Sequence, residues 1–174
     1  MSARQSAALP IAYVVLRILI ILNWIFGICV FGLLIFSLVN EPFAIRALGA
    51  SGFAGPRWVI MAMRGIMVLG LVAIMLNYEV LKRLLTIVNT VRRGDPFLAE
   101  NAYRLNAVAW FLLALQLLSI AVALIAKAIA NHGNPFHVDA GFSTAGWLSV
   151  ILTFVLARVF AQGTLMREDL EGTV

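Results

Sequence analysis

The sequence predicts an all-α membrane protein, a bundle of four transmembrane helices. Hydrophobic residues make up 63% of the chain and charged residues 12%, whereas ordinary globular domains have about 45–50% and about 25%. Four long apolar stretches alternate with three short connectors that hold most of the charge. Each stretch has the length, about 20 residues, with which a helix crosses about 30 Å of hydrocarbon.

The four predicted spans lie at about residues 11–39, 57–78, 105–127 and 144–162. Since the remaining segments are too short for a second soluble domain, residues 1–174 are interpreted as one integral membrane domain. The first stretch far exceeds the about 7–15 residues of a signal-peptide core, so we expect it to be a permanent span. Cys29 is the only cysteine, which excludes an intramolecular disulfide.

Basic residues flank the spans unevenly, and cytoplasmic loops carry an excess of Lys and Arg. The two tails and the middle connector hold Arg4, Lys82, Arg83, Arg92, Arg93, Arg104 and Arg167. The first and third connectors hold Arg46, Arg57 and Lys127. We therefore expect both termini and the middle connector to be cytoplasmic. The net charge of +5 is assigned to contacts with lipid headgroups and not to direct binding of nucleic acid.

The first connector, residues 40–56, is semi-apolar. Pro42 suits the first turn of a short interfacial helix, and three later glycines suit a flexible return to the membrane. Trp58 opens the second span, where an aromatic ring is typical of the membrane interface.

The middle connector is amphipathic, with apolar residues at helical spacing on one face. These are Leu81, Leu84, Leu85, Val88 and Val91. No helix breaker precedes Gly94, so the pattern predicts one helix from about Arg57 to Arg93, roughly 55 Å long. Residues 79–104 then form a helical hairpin that projects about 20–25 Å into the cytoplasm. The alternative is an amphipathic helix lying flat on the inner leaflet.

The turn of this hairpin has its own signals. Gly94 suits the position just after a helix C-terminus. Asp95 suits an N-cap, and Pro96 suits the first position of the departing helix. Phe97 and Leu98 follow, and we expect them to pack against the apolar face of the second helix.

The third connector, residues 131–142, contains two glycines and a proline and is interpreted as a loop. His132, His137 and Asp139 lie in it, but their spacing matches no strong zinc signature, which favours a solvated loop over a metal site. The last span presents small residues at four-residue intervals, which allows close helix packing. These are Ser149, Thr153, Ala157 and Ala161. They pack within the chain or, alternatively, against a second copy.

Three arginines lie inside the spans, where a charge is costly and is a functional hypothesis by default. We expect Arg17 and Arg158 to extend towards the inner interface and Arg64 towards the outer one. Glu79 or Glu100 are the expected partners of Arg158, and Glu41 or Asp139 those of Arg64. The alternative is that Arg64 and Arg158 hold the anionic group of a lipid or another ligand.

Four amide side chains in or beside the spans are interpreted as interhelical hydrogen-bonding groups. They belong to Asn23, Asn77, Asn106 and Gln116. We find no nucleophile–base pair, phosphate-cradling loop or paired carboxylates, so we expect neither an enzyme nor a bound cofactor.

The stretch from Gly94 to Leu105 resembles the G-x-P-F-x-x-E-N-x-x-R-L signature of DUF2975, a bacterial family of four-span membrane proteins of unknown function. It supplies Gly94, Pro96, Phe97, Glu100, Asn101, Arg104 and Leu105. The ending, residues 159–174, is similar to the usual close of that family. The resemblance covers essentially the whole chain and implies the bacterial inner membrane.

The resemblance implies no catalytic activity. It implies a role as the membrane partner of a small helix-turn-helix regulator, because such regulators are often encoded beside members of the family. The expected docking surface is the hairpin, with Arg92, Arg93 and the signature residues. Alternatively, Glu100, Asn101 and Arg104 only brace the hairpin. The other functional hypotheses are a lipid-binding or small-molecule-binding protein, a transporter subunit and an oligomeric pore.

Overall fold

The computed structural model describes residues 3–40, 57–94, 98–130 and 143–171, which form four α-helices and no strand. These are α1 (Ala3–Val39), α2 (Arg57–Arg92), α3 (Ala99–Ala130) and α4 (Thr144–Glu171). Each helix contains a segment long and apolar enough to span a membrane. The predicted all-α, multi-pass membrane architecture is therefore confirmed.

All four helices extend past the predicted spans. α1 begins at Ala3 and not near residue 11, and α4 continues to Glu171. α2 has 36 residues, about 54 Å of helix, and it runs unbroken through the amphipathic stretch, as predicted. The reason is that hydropathy marks only the part suited to lipid, whereas a helix continues until a residue breaks it.

α2 ends as its sequence predicts. The backbone N–H of Arg93 donates to the carbonyls of Asn89 and Thr90, and that of Gly94 donates to the Val91 carbonyl at 3.1 Å. Gly94 has φ of 89°, a left-handed conformation in which glycine carries no steric penalty. Asp95, Pro96 and Phe97 lie outside the described residues, so their predicted roles stay predictions.

The helices pack in chain order, each against the next. Within the described ranges, extensive packing is confined to the α1–α2, α2–α3 and α3–α4 pairs. α3 is packed on two sides and carries most of the fully buried positions, among them Val108 and Ala109. α1 packs against α2 and exposes large apolar side chains from Ile11 to Val39. Such exposure is expected of a helix that faces lipid.

The described residues on either side of residues 95–97 form what we call the hairpin end: residues 87–94, at the end of α2, and residues 98–105, at the start of α3. Ile87, Leu105 and Ala157 of α4 form a buried cluster there, and Phe160 packs against it. Tyr13 of α1 also reaches this end, where its ring lies 4.9 Å from the Arg92 guanidinium carbon. The hairpin is thus flanked by both outer helices, because its apolar face needs cover along its whole length.

Several expectations concern segments that the structure does not describe. The interfacial helix at Pro42 and the glycine-rich return fall between residues 41 and 56. The loop with His132, His137 and Asp139 falls between residues 131 and 142. These features also stay predictions.

Candidate functional site

Asn101 is the centre of a hydrogen-bond network at the hairpin end. Its side chain is fully buried, and its Nδ2 donates to Thr90 Oγ1 at 2.8 Å. The Thr90 hydroxyl in turn donates to the Ile87 carbonyl at 2.7 Å. Arg104 Nη1 donates to Asn101 Oδ1 at 3.0 Å. A buried amide that is bonded on both sides links the last turns of α2 to the start of α3.

Glu100 completes this network from the surface. Its carboxylate accepts a hydrogen bond from Arg104 Nη2 at 2.5 Å, and the pair lies four residues apart on α3. The backbone N–H of Asn101 donates to the Leu98 carbonyl at 2.9 Å. These contacts show that Glu100, Asn101 and Arg104 brace the hairpin, as one of the two interpretations of the signature predicts.

Arg92 and Arg93 are adjacent and exposed at the C-terminus of α2. Positive charge is favourable there because it complements the helix dipole. The Arg92 guanidinium lies over the Tyr13 ring, whereas the Arg93 guanidinium has neither a hydrogen bond nor an ion pair with any described residue. We call these two side chains the arginine pair. They present two cationic groups on a braced helix end.

Arg64 is held at the opposite end of the α1–α2 pair. Its Nη2 donates to the Ser37 carbonyl at 2.7 Å, and its Nε lies 3.3 Å from Ser37 Oγ. The Ser37 carbonyl belongs to the last turn of α1, whose carbonyls have no intrahelical donor. Arg64 therefore caps the C-terminus of α1 from the neighbouring helix. Its expected partners, Glu41 and Asp139, lie outside the described part of the chain.

Arg17 lies over a ring of its own helix. Its guanidinium carbon is 5.7 Å from the centroid of the Tyr13 ring, one turn closer to the N-terminus. Helical side chains lean towards the N-terminus, which here leads to the hairpin end. This geometry agrees with the predicted direction of the side chain, and Arg92 stacks on the same ring.

Arg158 differs from the other two arginines. The predicted ion pairs with Glu79 and Glu100 are wrong, because Glu79 pairs with Arg83 and Glu100 pairs with Arg104. In the described ranges the Arg158 side chain makes no hydrogen bond and no ion pair. It is exposed near the middle of α4, about 21 Å along the helix from Thr144.

Arg158 lines a groove between α3 and α4, which we call the α3–α4 groove. Its volume is about 550 Å³. The walls contain the small residues Ala99, Ala102, Ala157 and Ala161, together with Tyr103, Asn106, Phe154, Arg158, Thr164 and Leu165. Asn106, one of the four predicted interhelical amides, has no hydrogen-bond partner among the described residues. The groove thus combines a guanidinium and an amide with apolar walls.

The other three amides do form interhelical contacts. Asn77 Nδ2 donates to Asn23 Oδ1, and Asn23 Nδ2 donates to the Ile74 carbonyl, both at 3.1 Å. Gln116 Nε2 donates to the Ser143 carbonyl at 3.2 Å. Ser143 Oγ also accepts the Gly146 N–H at 3.1 Å, the geometry of a serine N-cap.

The small-residue stripe of α4 divides between two environments. Ala157 is buried in the core, and Ala161 lines the groove. The hydroxyls of Ser149 and Thr153 donate to backbone carbonyls one turn earlier in the same helix. Packing within the chain is therefore confirmed for Ala157, while a contact with a second copy remains an untested alternative.

Within the described ranges no group of three or more His, Cys, Asp or Glu side chains lies close enough to hold a metal ion. Tyr13, Ser37 and Thr90 were not predicted as partners of the arginines and of Asn101. Only polar character inside an apolar or amphipathic stretch marked these residues, and Arg92, Arg64 and Asn101 reach them from other helices.

The comparisons with known proteins give a family and no further relative. A family profile described as "Protein of unknown function (DUF2975)" matches residues 47–174, and the chain belongs to this family. The match confirms the resemblance noted from the signature, but it begins after α1, so it is shorter than expected. Neither the curated proteins nor the solved structures contain a match.

Proposed function

We propose that this DUF2975 protein is a non-enzymatic docking protein of the bacterial inner membrane, whose hairpin end binds a cytosolic partner with an acidic surface. By the family resemblance, the first candidate partner is a small helix-turn-helix regulator. Binding would hold the regulator at the membrane and away from DNA.

The observation that carries the proposal is the arginine pair on a braced support. Asn101 and Thr90 tie α2 to α3, and α1 and α4 flank the two helices. A binding surface gains precision when rigid elements hold its charged groups. Exposed charges at such a surface steer an oppositely charged partner and raise the association rate.

The charge distribution supports a cytoplasmic position for this surface. Besides the arginine pair, Arg17, Lys82 and Arg104 lie in the half of the molecule nearer the hairpin end. Lys127 is the one basic residue of the third connector region, near the opposite end of α3. By the positive-inside rule the more basic end faces the cytoplasm.

Helix length supports accessibility. The 36 residues of α2 correspond to about 54 Å, and the hydrocarbon takes about 30 Å of that length. About 24 Å remain for the headgroup region and the water beyond it. With α2 starting at the outer interface, this excess lies at the hairpin end. The Arg92 guanidinium lies over the Tyr13 ring, about 39 Å of helix from Val39, which puts the arginine pair in the headgroup region just beyond the hydrocarbon.

The proposal is tested by co-expressing the full chain with a small helix-turn-helix regulator of the same genome and measuring co-purification from membranes. The double substitution Arg92→Glu and Arg93→Glu should weaken binding by about tenfold or more, because two attractive charges become repulsive. Lys127→Glu is the matched control, since it makes the same kind of charge change near the other end of α3, and it should leave binding unchanged.

Undiminished binding by the double variant would show that the hairpin end is not the docking surface. Sidedness is tested separately with Ala99→Cys, an exposed position at the hairpin end, in a Cys29→Ser background. We expect an impermeant maleimide to label this cysteine in inverted vesicles and not in intact cells. Labelling from outside the cell would contradict the proposed orientation.

A further inference from the structure

We infer that the α3–α4 groove is a binding site for an anionic phospholipid, whose phosphate contacts Arg158. The inference does not rest on the proposed docking function. Arg158, the shape of the groove and the apolar surface around its mouth carry it together.

The charge of Arg158 calls for an anionic partner. A guanidinium inside the apolar part of a membrane protein is costly unless another group neutralises it. Arg64 meets a helix C-terminus and Arg17 lies over a tyrosine ring, but Arg158 meets no described acid or acceptor. A phosphate oxygen pair matches the fork of N–H groups on an arginine and forms a bidentate, charge-assisted contact. The nearby Asn106 amide supplies a further donor on the facing helix.

The α3–α4 groove has the size and the elongated shape of a ligand site. The groove of about 550 Å³ falls within the about 300–1,000 Å³ of ligand sites. Alanines on both helices keep its floor open. The groove runs along α4 from Phe154 to Leu165, about 16 Å. Trp110 and Phe154 stack edge to face at 5.5 Å beside its deep end, whereas Ala99 and Leu165 lie at the hairpin end, where headgroups would enter.

The exposed apolar side chains beside the groove favour a lipid over a soluble anion. Trp110, Ile151 and Val155 are 59%, 57% and 55% exposed on the side of Arg158 that faces away from the hairpin end. Ile151 and Val155 precede Arg158 by seven and three residues and therefore lie on the same face of α4. Acyl chains attached to a bound phosphate would cover this surface, whereas a free phosphate would leave it bare. The ligand that matches both the charge and the apolar border is a phospholipid with net negative charge.

The test uses the full chain, purified in detergent and titrated with phosphatidylglycerol or phosphatidylcholine under native mass spectrometry. We expect phosphatidylglycerol to bind at least tenfold more tightly than phosphatidylcholine. Arg158→Gln should lower the phosphatidylglycerol affinity by about tenfold, the usual order for a lost charged hydrogen bond. Arg158→Lys keeps the charge but loses the fork, so it should retain an intermediate affinity.

One control variant and one groove-filling variant distinguish this site from general attraction to anionic lipid. Arg17→Gln removes an exposed intramembrane arginine outside the groove and should leave the affinity unchanged. Ala161→Leu fills the groove while Arg158 remains, and it should lower the affinity as Arg158→Gln does. Because Ala161→Leu and Arg158→Lys do not remove the charge, they test the site even where Arg158→Gln fails to fold.

Three results would overturn the inference. The first is equal retention of phosphatidylglycerol by the natural chain and by Arg158→Gln or Ala161→Leu. The second is equal affinity for the two lipids. The third is displacement of bound lipid by inorganic phosphate at concentrations similar to that of the lipid, which would assign the groove to a soluble anion.

Discussion

The α1–α2 and α3–α4 interfaces both contain an intramembrane arginine, but they treat it differently. In the first, Arg64 donates to the Ser37 carbonyl and is held within the protein. In the second, Arg158 borders an open groove and meets no described partner. Both interfaces contain an edge-to-face aromatic pair with ring centroids 5.5 Å apart, Trp24–Tyr78 in the first and Trp110–Phe154 in the second. The difference between them therefore lies in the partner of the arginine and not in the kinds of residue that pack.

The difference shows that the position of an intramembrane arginine relative to a helix terminus decides whether the protein supplies its partner. The last turn of a helix has free carbonyls and a partial negative charge. Arg64 lies level with such a terminus, because α1 and α2 are antiparallel and α1 ends nearby. Arg158 lies about 20 Å from either end of its own helix, so no terminus of α4 is within its reach. One arginine is therefore structural, and the other is available to a ligand.

Replacing each arginine by leucine should give the largest difference in stability between the two interfaces. Arg64→Leu should destabilise the protein by about 2–3 kcal/mol, because it leaves the buried Ser37 carbonyl without its donor. Arg158→Leu removes no contact seen in the structure and should change stability by less than about 0.5 kcal/mol. Equilibrium unfolding in mixed detergent micelles measures both values. Equal losses for the two variants would show that Arg158 has a structural partner after all.

Two glycines of α1 test how closely α1 packs against α2, and we expect an intermediate loss of stability. A Cβ built on Gly27 lies 3.1 Å from Ile74 Cγ2, while a Cβ on Gly32 meets nothing within 4 Å. Gly27→Leu should therefore push α1 from α2 and cost about 1–3 kcal/mol, the usual range for overpacking. Gly32→Leu is the matched control and should be neutral. A neutral Gly27→Leu would indicate that α1 does not pack closely against α2.

The smallest expected losses of stability follow removal of single hydroxyl and amide groups. Asn77→Ala removes the donor to Asn23 Oδ1 and should cost about 1 kcal/mol, as interhelical hydrogen bonds in membrane proteins do. Thr153→Val removes a hydroxyl that bonds only within α4 and should cost less. The same unfolding measurement ranks the two variants. A larger loss for Thr153→Val would mean that this hydroxyl has an interhelical role.

The hairpin separates a feature that the sequence pattern predicts, the end of α2, from one that it does not, the hydrogen bond between α2 and α3. Apolar spacing and the lack of a breaker predicted one helix up to Gly94, and the structure confirms it within one residue. Local chemistry suffices there, since a glycine with positive φ ends a helix wherever it stands. The buried bond between Asn101 and Thr90 was not predictable, because both residues look like ordinary surface polar groups until α2 and α3 meet.

The flanking helices show the opposite case. The ends of α1 and α4 beside the hairpin were predicted as tails, because their hydropathy is low or mixed. They are helical to Ala3 and to Glu171. Tyr13 and Phe160, which lie just inside the predicted spans, pack against the hairpin from its two sides. Only contacts between helices distant in sequence reveal this arrangement.

By itself, the sequence determined the class of protein: four apolar helices, their order, the unbroken second helix and its end at glycine. Hydrophobic transfer and backbone geometry act locally, so composition and spacing suffice for these features. The tertiary structure decided which polar groups meet. It paired Arg64 with a helix end and Glu100 with Arg104, and it left Arg158 open to the α3–α4 groove. Partners of this kind depend on the register between antiparallel helices, which no local pattern specifies.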